Sequence, residues 1–338
     1  MTNCVYIFGN GLDLRIGLPT SYRDFLNFYE GEECPNREVE VVKHDFISEI
    51  KEKQGENPQW KDLEIALGLF TEKVSTVKMY ISFYRDFCRQ LINYLYRLEN
   101  LRDGFSTNTK NKFIEDLRSP ESYLHLKSQK VNFNSLVPND NVNANIITFN
   151  YTHTIESLLD WKDVDKPLVL NSFKIETIKH IHGKILETDL LFGLNDMSQI
   201  ANQEFCTDDR FMDLMIKPRR NDELGSHVDK ECETIILNAD IFYIFGSSLG
   251  STDQYWWNLI GSRFNSTNNT VIVYFEYLKE ELEEDMFDTQ YISLERPIRK
   301  RIMERMGIDG NEKDFRNRIY VACNREIYPN PIKPNSLF

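Results

Sequence analysis

The feature that most constrains this chain is an apolar run that ends in glycines. Cys4-Val5-Tyr6-Ile7-Phe8 leads into Gly9-Asn10-Gly11-Leu12-Asp13 and then Gly17-Leu18-Pro19-Thr20-Ser21-Tyr22. A short uninterrupted apolar stretch fits a strand buried on both faces of a parallel sheet. Glycines just past its end let backbone amides approach a phosphate at the next helix N-terminus. This opening predicts a nucleotide-binding, Rossmann-like α/β domain. Gly-x-Gly after a strand is a common pattern, so its weight comes from three further polar clusters at the ends of later apolar runs.

From Ser21 to about Lys130 the periodicity is helical. Apolar residues recur at three- and four-residue spacing through Leu63, Ala66, Leu67 and Phe70, and again through Ile81, Tyr84, Phe87, Cys88, Leu91, Ile92 and Leu95. The pattern predicts a helical insertion at about 21–130 whose aromatic stripe faces a core. Val131 to Asn145, rich in Asn, Pro and Asp, reads as a loop returning to the sheet. Short apolar runs then alternate with helix-length connections: Ile146–Asn150, Ile178–Gly183, a short one at Leu190–Gly193, Ala239–Gly246, and Thr270–Phe275, which closes the series. That alternation predicts a parallel sheet with helices on both faces, in which ligands collect at the carboxyl ends of the strands. Residues 1–275 are expected to form this domain. Residues 276–338 read as a charged helical cap and a tail ending in Pro329, Pro331 and Pro334.

Composition excludes several classes. A length of 338 residues, 28% charged and with 22 Phe and 16 Tyr, is ample for a core of its own. No apolar window is long enough to span a membrane, and Gly9 to Asp13 interrupt the first apolar run too early for a signal peptide, so a cytoplasmic protein is expected. With 53 acidic against 40 basic side chains the formal charge is −13, which disfavours a polyanion, and nucleic acid is not an expected partner. The basic clusters Arg296 to Arg305 and Lys217-Pro218-Arg219-Arg220 read as solvated faces. Six cysteines without a Cys-x-x-Cys pair argue for reduced thiols rather than a zinc ribbon or a disulfide framework.

Four clusters can carry chemistry. In the first turn, amides near Gly9 to Leu12 suit a pyrophosphate. Asn10 there tolerates an unusual backbone angle, and Asp13 either reaches a ribose, orders the loop or caps the helix. Thr148-Phe149-Asn150-Tyr151-Thr152 places an amide side chain at a strand tip, a turn former or a functional group. His180-Ile181-His182-Gly183 puts two imidazoles on one side of a strand. Further metal ligands are hard to find among six histidines, so no metal is expected, and a single His followed by glycine suits acid–base work. Gly246-Ser247-Ser248-Leu249-Gly250-Ser251-Thr252-Asp253 offers backbone and hydroxyl donors as a second phosphate or ribose cradle, or a helix-capping turn.

Taken in order, "IFGNGLDLRIGLPTSYRDF", "TFNYT", "HIHG" and "FGSSLGSTDQYWW" resemble the AbiH family of bacterial abortive-infection proteins, at four stations spread over residues 5 to 257. The same stations are similar, more distantly, to the sirtuin (SIR2) nucleotide-binding domain. Its glycine turn with Gly-Ile-Pro falls at Gly9, Gly11 and Gly17-Leu18-Pro19. Its catalytic Asn falls at Asn150, its catalytic His at His182, and its Gly-Thr-Ser turn at Gly246-Ser247-Ser248. Phe149 and Thr152 replace the Gln and Asp that flank the sirtuin Asn, Thr20-Ser21-Tyr22-Arg23 replaces Asp-Phe-Arg, and the Cys-x-x-Cys zinc module of protein deacylases is absent. The resemblance therefore implies an NAD glycohydrolase of a defence system rather than a peptide deacylase. In it Asn150 and His182 are catalytic, while Gly9, Asn10, Gly11, Asp13, Gly246, Ser247, Ser248 and Asp253 hold NAD. It also implies an effector held inactive until a phage-derived trigger acts, with a homo-oligomer expected. A non-catalytic module sensing NAD or ADP-ribose is the alternative.

Overall fold

The computed structural model describes residues 2–329 apart from 54–61, 103, 138–141, 165, 171–172, 189, 226, 279–281, 283–285 and 324–325. Seven strands form one sheet: β1 (Thr2–Phe8), β2 (Val142–Thr148), β3 (Leu168–Leu170), β4 (Phe173–His180), β5 (Ile241–Phe245), β6 (Val271–Glu276) and β7 (Ile319–Cys323). Their order is β3-β4-β2-β1-β5-β6-β7, parallel throughout except that β3 runs antiparallel to β4 at the edge. This is the predicted Rossmann-like α/β class.

Alternation along β1 decides the two faces. Val5 and Ile7 join a core with helices Val228–Leu237, Gln254–Ser266 and Asp288–Met306, through Cys232, Ile236, Trp257, Ile260, Ile298 and Ile302. Cys4, Tyr6 and Phe8 face the opposite core, closed by Phe113 and Leu117 of helix Thr107–Arg118 and Phe133 of helix Lys127–Leu136. Both faces are covered, so the strands are apolar on both sides, as a parallel sheet requires.

A third core belongs to a helical module. Helices Tyr22–Gly31, Arg37–Lys53, Leu63–Phe70 and Val77–Leu101 pack on one another through Phe25, Phe46, Phe70, Phe83 and Phe87. Their starts carry the expected caps: Ser21 accepts from the Asp24 amide at 3.2 Å and Thr76 from the Met79 amide at 3.3 Å. Only these helices of the 21–130 stretch build the module, because Thr107–Arg118 and Lys127–Leu136 return to cover the sheet.

Four local expectations need correction. Residues 190–193 are not a strand, because Leu190 and Phe192 are buried in the helical module instead. The loop read at Val131–Asn145 is largely helix and strand, since Lys127–Leu136 is helical and β2 begins at Val142. The sheet does not close at β6: Ile319 to Cys323 add β7, an apolar run hidden in a segment otherwise dominated by charge. The charged helix expected from Glu276 begins at Asp288 and is no mere cover, for Arg299 within it is buried and bonded to Glu295 at 3.0 Å and to Glu312. Pro331 and Pro334 lie outside the described residues.

The chain runs from β1 to β2 and β4 on one side of the sheet, then crosses back to β5, β6 and β7 on the other. The reversal lies between β1 and β5, where the carboxyl ends part to leave a crevice. The helical module overhangs that edge. No helix among the described residues is long and apolar enough to cross a membrane.

Candidate functional site

A cavity of about 570 Å³ lies between the carboxyl ends of β4, β2, β1 and β5 and the helical module, and Asn150, His182 and the residues from Gly9 to Asp253 that the resemblance assigns to NAD line it, whereas His180 does not. Tyr22, Asp62, Glu64 and Tyr94 of the module form the opposite wall.

Its floor is two turns pressed together. The Gly9 amide donates to the Phe245 carbonyl and the Gly11 amide to that of Gly246, both at 2.9 Å, while the Leu12 amide turns back to Gly9 at 3.0 Å. A Cβ on Gly11 would lie 2.4 Å from Gly246 Cα, and one on Gly246, whose φ is +70°, would lie 2.8 Å from Gly11 Cα. The glycines are thus required by the approach of one turn to the other, and these amides are already engaged rather than left open as a phosphate cradle. Asn10 is in the ordinary right-handed helical region (φ −55°, ψ −22°), not at an unusual angle. Its amide side chain bonds Thr20, with Asn10 Nδ2 2.9 Å from the Thr20 carbonyl and Thr20 Oγ1 2.6 Å from Asn10 Oδ1.

Asn150 stands just past β2, 4% exposed. Its backbone is braced twice: its N–H donates to Thr148 Oγ1 at 3.1 Å, and its carbonyl is 2.9 Å from His180 Nδ1. His180 is held in turn by Glu156 at 2.9 Å. Burial pushes the Glu156 carboxyl up, but His180 and then Lys184 outweigh it and leave it at about 2. In contrast, neither Oδ1 nor Nδ2 of Asn150 has a partner. A buried amide left unpaired is costly, and in a cavity wall it marks a place where a ligand completes the bonding.

His182 lies just beyond β4, buried between Phe149 and Tyr151, whose ring centroids are 5.3 and 5.9 Å away. Its Nε2 is 2.8 Å from Asp253 Oδ1. Asp253 sits at the start of helix Gln254–Ser266 yet makes no capping bond, because its carboxylate also takes the Lys217 ammonium at 3.0 Å. Lys217 in turn donates to Glu64 at 3.1 and 3.2 Å, and the Gly193 amide closes the chain on Glu64 at 2.9 Å. Burial pushes Asp253 up, but Lys217 and then His182 outweigh it and hold the carboxyl far below its usual range. Lys217 stays above its ordinary value because Asp253 and Glu64 more than offset its burial. His180 and His182 therefore serve separate networks, the first with Glu156 and the second with Asp253 and Lys217.

Asp13 is not the helix cap, a position that Asn10 holds, and it lines the cavity. It lies inside helix Gly11–Arg15, 1% exposed, and its two oxygens lie 3.0 and 2.8 Å from the Thr152 hydroxyl, which ties the β1 turn to the β2 turn. Burial pushes Asp13 up to about 6 against the bonds of Thr154 and Thr152 and the charge of Arg102. Asp62 caps helix Leu63–Phe70 with one oxygen and is likewise raised to about 6, chiefly by burial and then by Glu64. Ser247 accepts from the Leu249 amide at 3.1 Å, and its carbonyl takes the Tyr274 hydroxyl at 2.5 Å, which leaves Ser248 exposed at the rim.

Sequence reading missed Glu64, Lys217 and Asp62. Lys217 opens the basic run Lys217-Pro218-Arg219-Arg220, whose composition reads as a solvated face, yet it is 8% exposed. The signal for Glu64 was present: it is the lone acid in the apolar helix Leu-Glu-Ile-Ala-Leu-Gly-Leu-Phe. A buried acid in such a helix needs a cation, and Lys217 is that cation.

No curated protein matches the chain. The family model described as bacteriophage abortive infection AbiH matches residues 5–275, the stretch that carries the helical module, β1 to β6 and the whole of the cavity wall. The chain belongs to the AbiH family of bacteriophage abortive-infection proteins.

Proposed function

We propose that the abortive-infection activity of this chain is hydrolysis of NAD at the nicotinamide–ribose bond. The observation that carries the reading is the buried, unpartnered amide of Asn150 on the same cavity as the His182–Asp253 pair. The cavity volume lies in the usual range for small-molecule sites. The nicotinamide ribose would lie over Asn150 and His182. The pyrophosphate would pass the Gly9–Leu12 and Gly246–Ser248 turns, where the Ser248 hydroxyl stands at the rim. The adenosine would reach a neighbouring cavity of about 600 Å³, which shares Gly246 to Ser248 and is lined by Tyr274, Phe275 and Glu276.

Cleaving this bond needs little nucleophilic help, because nicotinamide leaves as a neutral molecule from a transition state resembling an oxocarbenium ion. The Asn150 amide orients the ribose 2′-hydroxyl or the attacking water. Water adds its oxygen to C1′ as the C1′–N bond breaks, and the proton it loses passes to His182. Asp253 then stabilises the imidazolium, and Lys217 keeps Asp253 ionised for that task. Carboxylates at Asp62 and Asp13 favour the cationic nicotinamide ring and the developing charge.

The test is purified protein with NAD, following nicotinamide release by chromatography, beside Asn150→Ala and His182→Ala. Each substitution is expected to lower release by at least about 100-fold. Asn150→Ala should melt no lower than wild type, since its side chain makes no hydrogen bond to lose. Full activity in both variants overturns the assignment. Binding of NAD or ADP-ribose without release would favour a sensing module.

A further inference from the structure

The His182–Asp253–Lys217 network has a second side. Behind it lies a separate cavity of about 210 Å³, walled by these three residues and by Asn221, Trp256 and the acids Asp222, Asp229 and Glu233. Lys217 and Asn221 occupy successive turns of helix Lys217–Leu224, so both face inward from the same side of that helix.

Two independent observations point to a ligand. Asn221 is 8% exposed, and its Oδ1 is buried without a partner. An orphaned acceptor calls for a donor. The surroundings also carry negative charge: within the wall Lys217 balances Asp253, its other partner Glu64 lies outside this cavity, and three further acids, Asp222, Asp229 and Glu233, line it without a cation of their own in the lining. Trp256, 7% exposed, adds a flat aromatic surface. An acceptor, an excess of carboxylate and an indole together match a planar cation with several N–H donors.

We propose that this cavity is a binding site for a guanidinium group, presented by an arginine side chain of another protein. Asn221 Oδ1 and the acids accept its N–H groups, and the ring of Trp256 packs against its plane. The cavity is too small for much more than the head of such a side chain, and its acidic lining disfavours the carboxylate of free arginine. Because Asp253 and His182 wall both cavities, occupancy changes the field at the first one. That consequence rests on the function proposed above, whereas the binding itself does not.

The test is calorimetry on the full chain without NAD, using N-acetyl-arginine methylamide, the matching citrulline and lysine derivatives, and agmatine as the free small-molecule form. Blocked arginine is expected to bind, with citrulline at least about tenfold weaker because it keeps the shape and loses the charge. Asn221→Leu and Asp222→Asn are expected to weaken arginine binding by about tenfold each, with melting temperatures that confirm folding. Agmatine binding as tightly as blocked arginine would assign the guanidinium to a free amine rather than a protein and overturn the partner proposed. Equal binding of citrulline or lysine, unchanged affinity in both variants, or no binding of blocked arginine to wild type overturns the site. None of these readings depends on whether NAD is cleaved.

Discussion

At the scale of single residues the site separates side chains that are satisfied from one that is not. Asp13, in the short helix after β1, and Asn150, just past β2, are both buried, but the Asp13 side chain has its hydroxyl partner and that of Asn150 has none. The raised pKa of Asp13 makes it a pH-dependent liability. A carboxyl at about 6 in the folded chain and 3.8 by its ordinary value binds its proton more tightly when folded, so its contribution is fully present below about 3.8 and lost as pH rises through about 6. The loss is on the order of 3 kcal/mol. Asp13→Asn should therefore gain stability relative to wild type between pH 4 and pH 7.5. Urea unfolding at both pH values reads the difference. Asp62 shifts the same way, so the difference between the two proteins, not the wild-type curve, isolates Asp13. An unchanged difference across that range would refute the account.

At the scale of elements the central fact is the contact of two turns. β1 and β5 are neighbours, and the glycines after them let their turns meet closely enough for amide-to-carbonyl bonds. Gly246→Ala would force a side chain into a positive-φ position and against Gly11 and Leu12, at an expected loss of more than about 2 kcal/mol. Gly31→Ala, at the end of helix Tyr22–Gly31 with open space around it, should be neutral or gain up to about 1 kcal/mol. Equal effects of the two substitutions in chemical unfolding would show that the turn contact carries no special demand. The strands themselves were legible because apolar runs bounded by glycine and polar residues are a local signal. Strand β7 was not, since Ile319 to Cys323 differ little from any short apolar run until β6 pairs with them.

At the scale of the whole molecule one buried chain of charges joins the parts. Glu64 comes from the helical module, Lys217 from the connection between β4 and β5, Asp253 from the turn after β5, and His182 from the end of β4. Removing Lys217 leaves the buried Glu64 carboxylate without its cation and the partly buried Asp253 with His182 alone. Lys217→Met is thus expected to cost about 3 to 5 kcal/mol, and adding Glu64→Gln should restore part of that loss. Thermal or chemical unfolding of the single and double variants checks it, and strictly additive losses would mean that Glu64 and Lys217 do not act as a pair.

The sequence by itself determined the α/β class, the central parallel strands, the helical periodicity of the module and the four stations around the cavity. Each of these is written in local spacing: apolar runs, helical periodicity, glycines and capping residues within a few positions of one another. Only the tertiary structure decided which distant charges meet. Lys217 and Glu64 are 153 residues apart and His182 and Asp253 are 71 apart, yet they form one network. Periodicity records that a side chain is buried but not what it is buried against, and a buried charge takes its meaning from its partner.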